Sequence, residues 1–423
     1  MPPGAGEASK PGRTGKEQSH PPAIRRHDEP RPAPPFPAGA SQKQRKTRRQ
    51  RQPAAAILSE GPLVEILARL PYRSLCRFKC VSKKWLKLCS DPKIIKTASQ
   101  TLSGFFHNHL ACGLCFGNLS GGRPLVDASL TFLRESYGRI KLEQCATSLL
   151  LCKCWESESE DEDECDFVVC NPMTEQWTVL PPIEWLDKDN GEPESFELSY
   201  PFLVFDPAVP SHFVVFAPLF ESVDIVAIYS SETGQWTPSR GWEYSPYPAV
   251  IPECAVFMNG MMHFLHLFVD EPLIAAVNIE GKVCREIAVR DGMIGASPGY
   301  CSVGCSQGLI HAWYMGPRDY ELSVWVLKDY ATEEWTLKHT VDVPELFEET
   351  ECDQEEVCNE EDGTHKYDMF AIHPELNVIF LTDWKQVNLS YDMDSGQVHH
   401  MCTSGDFLGG LPFIPSFADL ALG

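Results

Sequence analysis

Cys112-x-x-Cys115 has the spacing of half a zinc site or of a redox dithiol. Cys152, Cys154, Cys165 and Cys170 crowd a second stretch. Structural zinc needs four ligands in two spaced pairs, and no second Cys-x-x-Cys or suitably spaced His pair accompanies either group. Cys152 and Cys154 alternate along a strand-like run, so both face one side, where cysteine behaves as a small hydrophobe. His263, His266, His399 and His400 also fall in or beside strand-like runs, where an imidazole packs or meets solvent. Neither a metal nor a cofactor is expected.

Signatures of catalysis are missing as well. There is no Gly-x-Ser-x-Gly elbow, no phosphate-cradling glycine loop and no His-Glu-x-x-His. Paired carboxylates are plentiful but sit in charge runs, Glu156 to Asp166 (ESESEDEDECD) and Glu345 to Asp362. Water solvates such acids; glycoside chemistry needs them held across a cleft. No catalytic residue is expected, and the protein reads as a non-enzyme. Both acidic runs read as solvated loops. The alternative for Glu156 to Asp166 is that Ser157 and Ser159 are phosphorylation sites, or that the loop is a landing patch for a basic target; if both runs open on one propeller face they form a single negative surface.

The elements around these residues are short β-type runs, from about residue 100 onward. Phe202 to Phe205, Phe213 to Phe216, Val223 to Tyr229, Ala255 to Met258, Leu273 to Ile279, Leu322 to Leu327 and Val378 to Thr382 are the clearest. Asn259-Gly260 predicts a hairpin turn, because both turn residues must take positive φ. One outline recurs: apolar strand, polar turn, then Trp or an apolar residue. It ends at Trp177, Trp236, Trp335 and Val398, with a degenerate copy ending at Cys284. Successive ends lie 59, 48, 51 and 63 residues apart. Spacing near ~50 suits kelch-like propeller blades of four strands, with each copy as the outer hairpin and its Trp packed between neighbouring sheets. About six blades are expected; a pair of β-sandwiches is the alternative architecture.

The net charge of −23 is unevenly placed. Residues 1–56 carry +8, so the remainder carries −31. That first stretch is rich in Pro, Gly, Ser, Arg and Gln without apolar period, and reads as a disordered basic tail. Its run QKQRKTRRQRQ is a nuclear-localisation or weak nucleic-acid patch, or simply a solvated tail. An Arg-rich organellar transit segment is a further reading. The acidic body repels nucleic-acid phosphates and favours a basic protein target. No apolar run reaches the ~18 residues of a membrane span, and no secretory h-region is seen, so reduced thiols and a nuclear or cytoplasmic location are expected.

Residues 58–90 differ from all of this. Leu63, Ile66, Leu67 and Leu70 make a helical stripe that Ser59 can cap and Leu70-Pro71 ends. Ser74 can start a second helix with Leu75 and Phe78, and Ser82 a third with Trp85, Leu88 and Cys89 on one face. About thirty residues cannot enclose so much apolar surface, so they dock on this chain or on another.

The segment resembles the F-box. Leu58, Glu60, Leu63, Glu65, Ile66, Leu67, Leu70, Pro71, Ser74, Leu75, Arg77, Phe78, Val81, Lys83 and Trp85 match its pattern. Ser59, Gly61 and Pro62 depart from it. The β-region resembles the F-box-associated domain of plant F-box proteins, through Asn171-Pro172-x-Thr174, Phe205-Asp206-Pro207, Tyr229-Ser230-Ser231, Trp325-Val326-Leu327, His373-Pro374-Glu375 and Tyr391-Asp392-Met393. The resemblance implies three parts: tail 1–56, a three-helix F-box over 57–97, and a propeller-like β-domain over 98–423. It implies a receptor subunit of a Skp–cullin–F-box ubiquitin ligase, with Leu58, Leu67, Pro71, Leu75 and Val81 on the adaptor-binding face and the β-domain holding a protein target. An interaction scaffold that does not recruit the ligase, and a propeller enzyme with its site in the central channel, stay open as alternatives.

Overall fold

The computed structural model describes residues 60–420 with gaps. Residues 1–59, 69, 71, 92–93, 95–100, 110–112, 120–123, 158–164, 187–192, 197–200, 206–211, 220–221, 241–254, 267–271, 290–292, 294–299, 319, 349–365, 384–386, 402–406, 408, 418 and 421–423 lie outside the described residues. The expected tail falls there, as do Leu58, Ser59, Pro71, Cys112 and Ser159.

Three short helices come first: α1 (Glu60–Ala68), α2 (Tyr72–Lys79) and α3 (Lys83–Cys89). Ser82 caps α3, its Oγ accepting the Trp85 amide at 3.3 Å. Ser74 does not start α2. The helix begins two residues earlier, at Tyr72. Leu67, Leu75, Leu88, Cys89 and Ile94 form the shared core, with Leu63, Leu70, Phe78 and Trp85 at its margin. Ile66 leaves the expected stripe and is 48% exposed, since Leu63, Leu67 and Leu70 already fill the seam of so small a unit.

The β-region is a six-bladed propeller, and all seven clearest runs are strands in it. Blade I holds β3 (Arg139–Ala146), β4 (Leu149–Trp155), β5 (Asp166–Asn171) and β6 (Gln176–Val179). A hairpin of β7 (Ile183–Leu186) and β8 (Pro193–Phe196) follows. Blade II holds β9 (Phe202–Phe205), β10 (Phe213–Leu219), β11 (Ser222–Ser230) and β12 (Gln235–Arg240). Blade III holds β13 (Ala255–Met258), β14 (Met261–His266), β15 (Leu273–Asn278) and β16 (Val283–Ala288). Blade IV holds β17 (Tyr300–Ser306), β18 (Leu309–Met315), β19 (Glu321–Asp329) and β20 (Glu334–Asp342). Blade V holds β21 (Asp368–Ile372), β22 (Val378–Thr382), β23 (Asn388–Asp392) and β24 (Gln397–His400). Blade VI is assembled from both ends of the region: β25 (Leu411–Phe413) pairs with β1 (Gly104–His109), which pairs with β2 (Gly113–Asn118). Among the described residues this blade has three strands, and the short helix Thr131–Arg134 with the residue before it packs Leu130 and Leu133 into the core.

Both faces of each blade are buried, so alternate residues of one strand serve different seams. In β4, Leu149 and Leu151 face blade II, while Leu150, Cys152 and Cys154 face blade VI. In β10, Phe213 and Val215 face blade I, while Val214 and Phe216 face blade III. Each buried Leu, Val or Phe contributes about 1.5–3 kcal/mol.

The repeat motif forms the outer hairpin of five blades. Its first polar residue caps the turn: Asn171, Ser230, Asn278, Asp329 and Asp392 each accept a backbone amide two to four residues on, at 2.7–3.3 Å. The last turn residue takes positive φ at Glu175, Gly234, Gly281, Glu333 and Gly396. The next but one packs into the seam with the preceding blade, as Trp177, Trp236, Trp335 and Val398 do. In blade III that residue is Val283. Cys284 is exposed, because the turn there is one residue shorter and pairs Val277 with Val283. Two indoles also tie blades together: Trp236 Nε1–H donates to Pro181 O at 2.7 Å, and Trp335 Nε1–H to Ala288 O at 3.1 Å. Asn259 and Gly260 form the expected turn, at φ 53° and 77°.

A polar cluster lies between blades IV and V. Lys338 occupies a bulge in β20, where the register slips against Val324 and Trp325. Its ammonium donates to Asn377 Oδ1 and lies 3.3 Å from His311 Nε2. His311 Nδ1 faces Leu309 O at 3.1 Å, which leaves Nε2 as the acceptor. Burial, with Lys338 adding to it, pushes the His311 pKa down to about 4. Burial does the same to His107, also to about 4.

Two expectations follow from this packing. Trp335→Ala should cost about 3–5 kcal/mol in urea unfolding, with Trp335→Phe costing less. An unfolded histidine titrates near 6.5, above the folded value of about 4 for His107 and His311. Their contribution is therefore full above about pH 6.5 and is lost as pH falls through about 4. The urea midpoint should drop across that window, and less steeply in His311→Gln.

Candidate functional site

The candidates for chemistry are dispersed into packing roles. Cys152, Cys154 and Cys170 lie in the seam between blades VI and I, with Cys145 at its margin. The hydrogen bond with Cys170, then burial, raises the Cys152 thiol pKa; burial raises Cys145 and Cys154. Thiols so raised stay protonated and are poor nucleophiles. His263 and His266 are buried on β14, and His263 Nε2 meets Tyr330 OH at 3.0 Å across the seam. Burial lowers both imidazoles. His399 and His400 are exposed on β24, in another blade. Among the described residues no group of three or more His, Cys, Asp or Glu is placed to hold a metal ion.

The two acidic runs have related positions. Antiparallel strands alternate in direction, so the second-to-third strand links and the links between blades leave the ring at one end. Glu156 to Asp166 joins β4 to β5, and Glu345 to Asp362 lies between blades IV and V, so both leave from that end. Their centres, 158–164 and 349–365, lie outside the described residues. The opposite end carries tight turns such as Asn259-Gly260.

The helical unit is the region with surplus apolar surface. Of the five residues expected on its docking face, Leu58 and Pro71 lie outside the described residues. Leu67 and Leu75 do not present a face at all: they are 1% and 0% exposed, because three short helices need them as their core. Val81 is 64% exposed, in the turn before α3. Ile66 and Leu86, each 48% exposed, were missed. The signal for Leu86 was available, since Trp85, Leu88 and Cys89 define the inward side of α3 and leave Leu86 on the other. Arg77, Lys83, Lys84 and Lys87 are exposed nearby in sequence, and no Asp or Glu occurs from 66 to 90. Among the described residues no helix is long and apolar enough to cross a membrane.

The F-box domain family model matches residues 57–97. Over 310 residues the chain is 26% identical to F-box protein At5g49610 of Arabidopsis thaliana, covering 68% of this chain and 79% of that one. F-box protein At5g07610, also from Arabidopsis thaliana, is 29% identical over 48% of this chain and 50% of its own length. Among solved structures, dihydro-heme d1 dehydrogenase NirN aligns at a TM-score of 0.31 and 13% identity, over 61% of this chain and 54% of that one. That likeness is too weak to bear on fold or activity. With an F-box domain over residues 57–97 and relatives of this kind along two thirds of its length, the chain is similar to plant F-box proteins.

Proposed function

We propose that the protein is a non-catalytic substrate receptor of a Skp–cullin–F-box ubiquitin ligase. The observation that carries this reading is an F-box unit whose exposed surface combines Ile66, Val81 and Leu86 with Arg77, Lys83, Lys84 and Lys87. On this reading the helices dock on a Skp-type adaptor, and through it on the cullin. Leu67 and Leu75 hold the helices together; Val81, with Leu58 and Pro71, makes the contact. The propeller holds a target, so that a target lysine meets the ubiquitin-charged partner at raised effective concentration. The end of the ring from which both acidic runs leave is the proposed target side, and its charge favours basic targets. The tail supplies a nuclear address, and the protein works in the nucleus, the cytoplasm or both.

A second reading is an interaction scaffold that never joins a ligase. Ser59, Gly61 and Pro62 favour it, as departures from the F-box pattern at the start of the first helix.

The deciding experiment is adaptor co-purification. Ile66→Asp with Val81→Asp should abolish it while the helices stay folded, because both positions are exposed. Leu75→Ala should lower helix stability by about 2–5 kcal/mol, read by amide exchange, since it empties a core position. Wild-type protein that never captures the adaptor would favour the scaffold. Proximity labelling with the adaptor-blind double variant should enrich basic proteins over the proteome average, and replacing the acids of 156–166 by Ser or Asn should reduce that bias.

A further inference from the structure

The segment after the last strand ties together more than strand pairing requires. β25 pairs with β1 at only three positions, Gly104 with Phe413, Phe105 with Pro412 and Phe106 with Leu411. The chain then leaves blade VI and crosses blade I. Ile414 N–H donates to Thr147 O at 2.7 Å, in the turn between β3 and β4. Ser416 O accepts from Asn171 Nδ2 at 3.1 Å, at the outer hairpin turn. Leu420 N–H donates to Gln176 Oε1 at 2.6 Å. The Leu420 side chain is 6% exposed and sits in the seam between blades I and II, beside Leu180 and Phe213.

Upstream, the same run fills two more seams. Phe407 packs between blades V and VI, and Phe413 between blades VI and I. Gly410 lets it pass: a Cβ there would lie 2.7 Å from Phe106 O. Phe407, Phe413 and Leu420 therefore fill three consecutive seams around a three-residue ladder.

We propose that residues 414–420 are a latch, which holds the ring shut at blades VI, I and II and releases before the propeller unfolds. The anchors are hydrogen bonds at Ile414, Ser416 and Leu420 together with the buried side chains of Pro415 and Leu420, so opening the run disturbs less structure than unfolding a blade. When it opens, the short β25–β1 ladder is left to close the ring by itself. Blades III to V keep their seams.

Hydrogen exchange by mass spectrometry on the full chain tests this, with Leu420→Asp and Gln176→Leu compared with wild type. Gln176→Leu removes the acceptor of the Leu420 amide, and with it that of the Thr174 hydroxyl, without placing a charge in a seam, and guards against gross misfolding by the first variant. In both, amides of β1, the β3–β4 turn and β25 should exchange at least tenfold faster, while those of β14, β18 and β22 keep their wild-type rates. A uniform increase over all six blades would overturn the proposal, since the run would then belong to one cooperative unit. Unchanged exchange, or acceleration confined to 414–420, would also overturn it, because the ring would stay closed without its latch.

Discussion

Two-sided burial is the constraint on which the rest of the structure depends. A strand in an open antiparallel sheet buries one face; here most strands bury both. The alternation in β4, with leucines toward blade II and cysteines toward blade VI, makes each residue answer to one particular neighbour. That explains why so many thiols occur without chemistry: small, soft side chains fill a seam in which Phe106, Phe116 and Phe413 already take the room. It also explains the buried histidines. Two seam rings find their partners across the interface: Tyr330 for the buried His263 and Tyr391 for the half-buried His339.

The helical unit obeys the opposite economy. Its core takes few side chains, and the remaining apolar groups stay outside. On the proposed reading, ring and helices divide the labour of a receptor: a body that spends its hydrophobic surface internally, and a small module that keeps some of it for a partner.

Much of the ring was legible in the sequence, because its outer hairpin repeats. Trp177, Trp236 and Trp335 marked equivalent positions through shared turn chemistry, and about six blades followed from their interval. Cys284 was misaligned with them, since a turn shortened by one residue moves the seam position to Val283 and leaves no trace in composition. β25 was not legible: three residues with a central proline carry no strand signal, and the pairing partner lies at the far end of the domain. The His311–Lys338 contact depends on a bulge, which only the register reveals. On the helices, the expected docking face went wrong at Leu67 and Leu75 for a general reason. Apolar periodicity identifies a side that avoids water but does not distinguish a fold's own interior from a partner's groove.

The way blade VI is made has a consequence for how the protein comes into being. Ser103 bonds the carbonyl of Phe413, 310 residues further along the chain. During synthesis the first strands of that blade wait, with Phe105 uncovered, until nearly the whole propeller has been made. Blades I to IV can pair with their neighbours as they emerge, since β1 and β2 precede blade I, but the seam between blade V and β1 must stay open to the end. Contacts of such sequence separation form late and slowly. The nascent protein therefore spends most of its synthesis as an open arc with two sticky ends, a state that invites joining to a second arc as readily as closing on itself.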